Sequence, residues 1–212
     1  MYNTEDTIFD MFDRVYVINR PVDITRREEI IKELQGICDT YKLFPAVDGW
    51  NETIEFKVTE DNKIYDGWTP GAAGLVETTI QIIKEAKENK YKQILILEDD
   101  LKFNYSLKEA VKSFNRVPDN WELMHFASKD YIRPKRLGKL KRLAGAWSCQ
   151  IYGVSERIYD EYLSELSKKD KPIDLITSSV FHPRGNSYAT RHDVITTYPN
   201  FSSIRNKQVN YR

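Results

Sequence analysis

Residues 93–100, Gln-Ile-Leu-Ile-Leu-Glu-Asp-Asp, constrain the fold of this chain more than any other stretch. Four aliphatic residues in a row, β-branched Ile alternating with Leu, predict a short strand buried on both faces of a parallel sheet. That strand runs directly into Glu98, Asp99 and Asp100. Carboxylates crowded at one strand end repel one another, and neither flanking residue, Leu97 or Leu101, neutralises them. A divalent cation would resolve the conflict, because hard cations such as Mg²⁺ and Mn²⁺ prefer carboxylate oxygens. In open α/β sheets ligands bind outside the carboxyl ends of strands, where these acids lie. The same triplet also suits a solvated polar loop or a cap on the next helix.

A chain of 212 residues is long enough for one sizeable core and short for two enzyme-sized domains, so residues 1–212 are expected to form a single domain. Hydrophobic content of 41% and aromatic content of 12% place it with folded globular proteins. The 32 basic and 32 acidic residues cancel, and net charge gives no argument for nucleic acid or membrane partners. Cys38 and Cys149 fit no metal spacing and are expected to be buried, reduced thiols. Residues 1–13 lack a basic start and an apolar run, and no stretch reaches transmembrane length. A chain of the cytoplasm, or of the interior of a host cell, is expected.

Strand and helix signals alternate along most of the chain. Residues 14–19 are β-branched and apolar; Asp23 is placed to cap a helix over residues 25–36, where Ile30, Ile31 and Leu34 form a stripe. A second strand is expected over residues 41–47, stopped by Asp48-Gly49, and residues 50–68 read as a polar surface excursion. Thr69-Pro70 opens a long helix, with Thr as N-cap and Pro at the first helical position. Its first turn is Gly71-Ala72-Ala73-Gly74. Gly is a poor helix former, so this run implies close approach to a ligand or another element, or tight helix–sheet packing.

Ser106 and Glu109 have capping-box spacing, and a strand is expected over residues 121–127. The basic run of residues 129–142 reads as a solvated loop, with a phosphate partner as the alternative. A strand over residues 145–154 and a helix capped by Ser155 follow. The alternation predicts an α/β fold with a central, mostly parallel sheet flanked by helices.

In order, these pieces resemble glycosyltransferase family 25, the lipopolysaccharide-biosynthesis and procollagen-galactosyltransferase-like enzymes of GT-A type. The matching stretches are Val15-Tyr16-Val17-Ile18-Asn19 with Arg26-Arg27, Ala46-Val47-Asp48-Gly49, Gly71-Ala72-Ala73-Gly74 and Leu97-Glu98-Asp99-Asp100. Trp121-Glu122-Leu123, Ile151-Tyr152-Gly153-Val154-Ser155, Pro172-Ile173-Asp174, Tyr198-Pro199 and Ser203-Ile204 follow. Where the family has Cys and then Ser-His, this chain has Leu75 and Thr78-Thr79; where it closes on Ser-Asp-Ile, this chain has Ser202-Ser203-Ile204.

The resemblance implies a GT-A, Rossmann-like fold and inverting transfer of a hexose, such as galactose or glucose. The sugar would pass from a nucleotide-sugar donor, UDP-linked, to a hydroxyl acceptor on a glycan or protein. It implies Mn²⁺ or Mg²⁺ held by Glu98 and Asp100, which alternate to one side of an extended chain while Asp99 turns to the other. A third ligand would come from the C-terminal part, with His192 chosen over His182 and Asp193. Ile18, Asn19, Arg20, Arg26, Asp48, Gly71, Gly74 and Asp99 would hold the donor, and Asp174 would act as base. A catalytically silent sugar- or nucleotide-binding module is the rival from another class. A metal-dependent nucleotidyltransferase or phosphohydrolase is a third reading, but the chain lacks the Gly-rich phosphate loop with Lys that it would need.

Overall fold

The computed structural model describes residues 7–57, 68–104, 106–147, 149–196, 200–202 and 207–209. The Tyr198-Pro199 and Ser203-Ile204 motifs, most of the excursion expected before Trp68, and residues 1–6 lie outside the described residues. In chain order the first strands are β1 (Arg14–Asn19), β2 (Tyr41–Pro45), β3 (Gln93–Glu98), β4 (Lys102–Phe103) and β5 (Leu123–His125). Next come β6 (Lys129–Ile132), β7 (Lys135–Leu137), β8 (Leu140–Arg142), β9 (Gly145–Trp147) and β10 (Ile151–Ser155). Then β11 (Ser187–Thr190), β12 (Ile195–Thr196), β13 (Asn200–Ser202) and β14 (Lys207–Val209) complete the described strands. The α-helices are α1 (Ile24–Leu34), α2 (Pro70–Glu88), α3 (Leu107–Phe114), α4 (Tyr159–Ser167) and α5 (Ile173–Ile176).

An eight-stranded sheet runs β2-β1-β3-β10-β5-β11-β8-β7. β1 pairs in parallel with both β2 and β3, and β5 with β11. β10 and β8 run against their neighbours, so the other six strands share one direction and the sheet is mostly parallel, as expected. Alternation along the central strands sorts side chains onto two faces. Val15, Val17, Leu95 and Leu97 meet α1, α3 and the rings of Phe9 and Phe12. Tyr16, Ile18, Ile94 and Ile96 meet α2, α4 and α5. Each fully buried aliphatic side chain here contributes about 1.5–3 kcal/mol. Double burial therefore holds β3 in place and fixes where its acidic end emerges.

Several local expectations are corrected. The basic run is not a loop: β6, β7 and β8 lie within it. Residues 145–154 do not form one strand. β9 pairs with β6, whereas β10 enters the main sheet between β3 and β5. Between them the Cys149 N–H turns to the Asp174 carboxylate at 2.9 Å and the Gln150 carbonyl accepts the Glu98 N–H at 2.9 Å. Asp23 precedes α1 without a side-chain cap, because its carboxylate is engaged by Arg20. Ser106 gives no cap either, since its backbone is already helical. The Thr69 cap is present, its hydroxyl accepting the Ala72 N–H at 3.2 Å. Cys38 and Cys149 are both buried and free. Among the described residues no helix is long and apolar enough to cross a membrane.

Candidate functional site

The acidic end of β3 opens into a cleft lined by charged and apolar side chains together. Its floor is Glu98, Asp99 and Asp100, and the end of β1 supplies Ile18 and Arg20. Arg26 enters from α1, Asp48 and Trp50 from the loop after β2, and Gly71 from the first turn of α2. Two strand–helix junctions and the end of β3 thus converge on the carboxyl ends of parallel strands, where such sheets bind ligands.

Charge in the cleft is partly balanced from within. Arg26 reaches Asp99 at 2.5 Å and Asp100 at 3.1 Å. Asn19 donates to the other Asp99 oxygen at 2.6 Å, so Asn19 is buried beneath the cleft and positions Asp99. Burial pushes the Asp99 carboxyl up to about 6, although the Arg26 charge and the Asn19 hydrogen bond pull the other way. Burial, followed by repulsion from Asp100 and Asp174, pushes Glu98 well above the usual carboxylate range. Among the described residues Asp100 Oδ1 is buried with no hydrogen-bond partner. An unpaired buried carboxylate oxygen is costly.

A second cluster shapes the wall. Arg20 holds Asp23 through Nε at 2.8 Å and Asp48 through Nη1 at 3.1 Å. Asp48 also accepts the Trp50 N–H at 3.1 Å and the Asn51 amide at 2.9 Å, which folds the turn that presents the Trp50 ring. Burial opposes ionisation of Asp48, but these hydrogen bonds and Arg20 outweigh it and hold its carboxyl below the usual range. The turn after Asp48 sits on the start of α2. A Cβ on Gly74 would lie 2.4 Å from the Val47 carbonyl oxygen, and one on Gly49 would lie 1.8 Å from that of Pro70. The buried Thr78 hydroxyl accepts the Val47 N–H at 2.9 Å and donates to the Gly74 carbonyl at 2.8 Å. Thr78 therefore fastens the cleft loop to α2.

Of the residues singled out in the sequence, Ile18, Arg20, Arg26, Asp48, Gly71, Glu98, Asp99 and Asp100 line this cleft. Gly74 lies behind it as a packing residue. Asp174 is not part of the lining, but it stands close enough to Glu98 to raise that carboxyl. His192 is exposed and does not line the cleft. His182 is buried, its Nδ1 accepting the Ala146 N–H at 3.2 Å and its Nε2 facing His125 Nε2 at 3.2 Å. Asp193 accepts the Ser128 N–H at 3.1 Å. Among the described residues no three His, Cys, Asp or Glu side chains gather as a ready metal cage. Asp23 and Trp50 are lining residues that the sequence reading did not select; Asp23 was read as a cap, and Trp50 as part of a surface excursion.

No protein-family model and no curated protein matches the chain. Among solved structures it is similar to a glycosyltransferase involved in the glycosylation of the major capsid of PBCV-1, at 14% identity over 85% of this chain and 81% of that one, with a TM-score of 0.47. It is also similar to A197 from STIV, at 8% identity over 94% of both chains and a TM-score of 0.45. A third likeness is to mouse xyloside xylosyltransferase 1, at 12% identity over 78% of this chain and 68% of that one, with a TM-score of 0.39. At these identities the likeness concerns the fold and assigns no residue a role.

Proposed function

We propose that the chain is a metal-dependent, inverting glycosyltransferase of GT-A type, akin to glycosyltransferase family 25. It would move a hexose from a UDP-linked donor to a hydroxyl of a glycan or protein. The observation that carries this reading is the buried Asp100 Oδ1, without a hydrogen-bond partner among the described residues, beside Glu98, whose carboxyl is pushed up by burial and neighbouring acids, on the floor of the cleft. Mg²⁺ and Mn²⁺ commonly take one or two protein carboxylates and complete their shell with substrate phosphates and water. Glu98 and Asp100 suit that pattern, and it needs no third protein ligand. When bound, the cation supplies Lewis-acid stabilisation of the charge that develops on the leaving nucleoside diphosphate.

The protein's own residues do the rest. Arg26 neutralises part of the acidic floor, so that an anionic donor can approach. Arg20, Asp48 and the backbone turn at Gly49 form a rigid wall, and Trp50 offers an aromatic face for a nucleobase. Asp174 is the base that takes the acceptor proton in a single displacement. The Cys149 N–H fixes one of its oxygens.

A screen of nucleotide sugars for binding and hydrolysis, with Mn²⁺ and with chelator, tests the reading. Turnover of a UDP-hexose that needs the metal is expected. Tight binding with no turnover, even with acceptors supplied, would favour the silent binding module, and no binding to any nucleotide sugar would overturn both.

A further inference from the structure

The β6–β9 ribbon carries a surface that the donor cleft does not use. Tyr131, Ile132 and Trp147 are 53%, 47% and 41% exposed. The Tyr131 and Trp147 rings meet edge to face at 5.5 Å. Opposite Ile132 stands Gly145, where a Cβ would fall 2.8 Å from the Tyr131 ring and from Ile132 Cδ1, so glycine lets that ring lie down on bare backbone. Exposed aromatic groups with a flat floor mark an interaction surface, and such rings combine an apolar face with polar edges.

The charge beside this ribbon is one-sided. In the β7–β8 hairpin, Lys135 stands opposite Arg142 and Arg136 opposite Lys141. Like charges directly across a ladder are destabilising, so two such pairs in one hairpin call for anions. Lys141 has its own, Asp130 of β6 at 3.0 Å. Arg133, Lys135, Arg136 and Arg142 form no ion pair among the described residues. Residues opposite each other share a face, and Lys141 reaches back to β6. Arg136 is therefore on the ribbon side of the hairpin. β9 in turn packs against α5 and the π-helical turn Thr177–Phe181, and α5 carries Asp174.

We infer that the ribbon and hairpin form the acceptor platform and that the acceptor is an anionic oligosaccharide, an inference that rests on the transferase reading above. Tyr131 and Trp147 take the apolar face of a sugar ring, and Arg133 and Arg136 take its carboxylate, sulfate or phosphate groups.

Calorimetric titration of the donor-free protein tests this with three probes: an oligogalacturonate hexamer, a heparin hexasaccharide and cellohexaose. The two acidic probes are expected to bind, more weakly as salt rises, with the neutral hexamer about tenfold weaker. Trp147→Ala and Arg136→Ser should each lower the acidic affinities about tenfold, and Trp147→Tyr should recover most of the loss. UDP titration, run separately, should be unchanged by all three substitutions. Acidic-sugar binding without UDP binding would support the platform while contradicting the transferase reading, so the two failures are separable. The proposal is overturned if none of the three oligosaccharides binds, or if Trp147→Ala binds them like the wild type. It also fails if a poly-glutamate decamer binds as tightly as the acidic sugars, or if sedimentation shows a dimer that Trp147→Ala abolishes.

Discussion

At the end of β3 one guanidinium faces the acidic floor, and much of the local stability depends on it. Arg26 is 17% exposed and Asp99 7%, so their pair is screened little by solvent. Removing one partner of a buried pair strands the other charge, at a cost of about 3–5 kcal/mol. Arg26→Met should lower the unfolding free energy at pH 7 by about 3 kcal/mol, read from urea denaturation; an unchanged midpoint would contradict the pairing. His182 gives the molecule an acid sensitivity. Burial, then the neighbouring His125, lowers its pKa from 6.5 to about 2. The unfolded chain therefore takes up a proton below pH 6.5 that the folded one refuses, so this contribution is whole above 6.5 and lost as pH falls toward 2. Between pH 7 and pH 5 the wild type should lose about 2 kcal/mol relative to His182→Gln. Parallel pH profiles for the two proteins would contradict the buried neutral imidazole.

At the scale of elements, the contact between the Val47–Gly49 turn and the start of α2 decides the shape of the cleft. A glycine inside a helix ordinarily weakens it, and replacement should help. Here the Gly74 position has backbone atoms of Val47 and Gly49 where a side chain would go. Gly74→Val is expected to destabilise by about 2 kcal/mol or more, in the range of overpacked sites, and to weaken donor binding by displacing the turn. Wild-type stability and affinity in the variant would show that the turn yields freely. The legibility of the sequence follows the same division. Doubly buried β3, the Thr69-Pro70 helix start and the unusual Gly71–Gly74 turn were readable because local chemistry dictates them. The separation of β9 from β10 was not, since it depends on the Cys149 N–H finding Asp174, 25 positions away. The strands in the basic run were hidden for a related reason: their pairing partners, not their polar composition, make them strands. Arg26 was singled out through the family resemblance, whereas its pairing with Asp99 and Asp100 emerges only when α1 folds over β3.

For the whole molecule, a mostly parallel sheet brings the loops after β1, β2 and β3 to one edge and leaves β9 beside Asp174 through Cys149. That arrangement brings Asp174, the proposed base, close enough to Glu98 to raise its carboxyl. Asp100 is the residue on which the proposed function turns, because its Oδ1, without a hydrogen-bond partner among the described residues, is where the proposed cation would bind. Asp100→Asn keeps the size of the side chain and weakens a hard-cation ligand. The direct measurement is calorimetric titration of UDP-hexose into the wild type and Asp100→Asn, each in Mn²⁺ and in chelator. The account predicts tight binding for the wild type in Mn²⁺ and weak binding in the other three conditions; equal affinity in all four would contradict it.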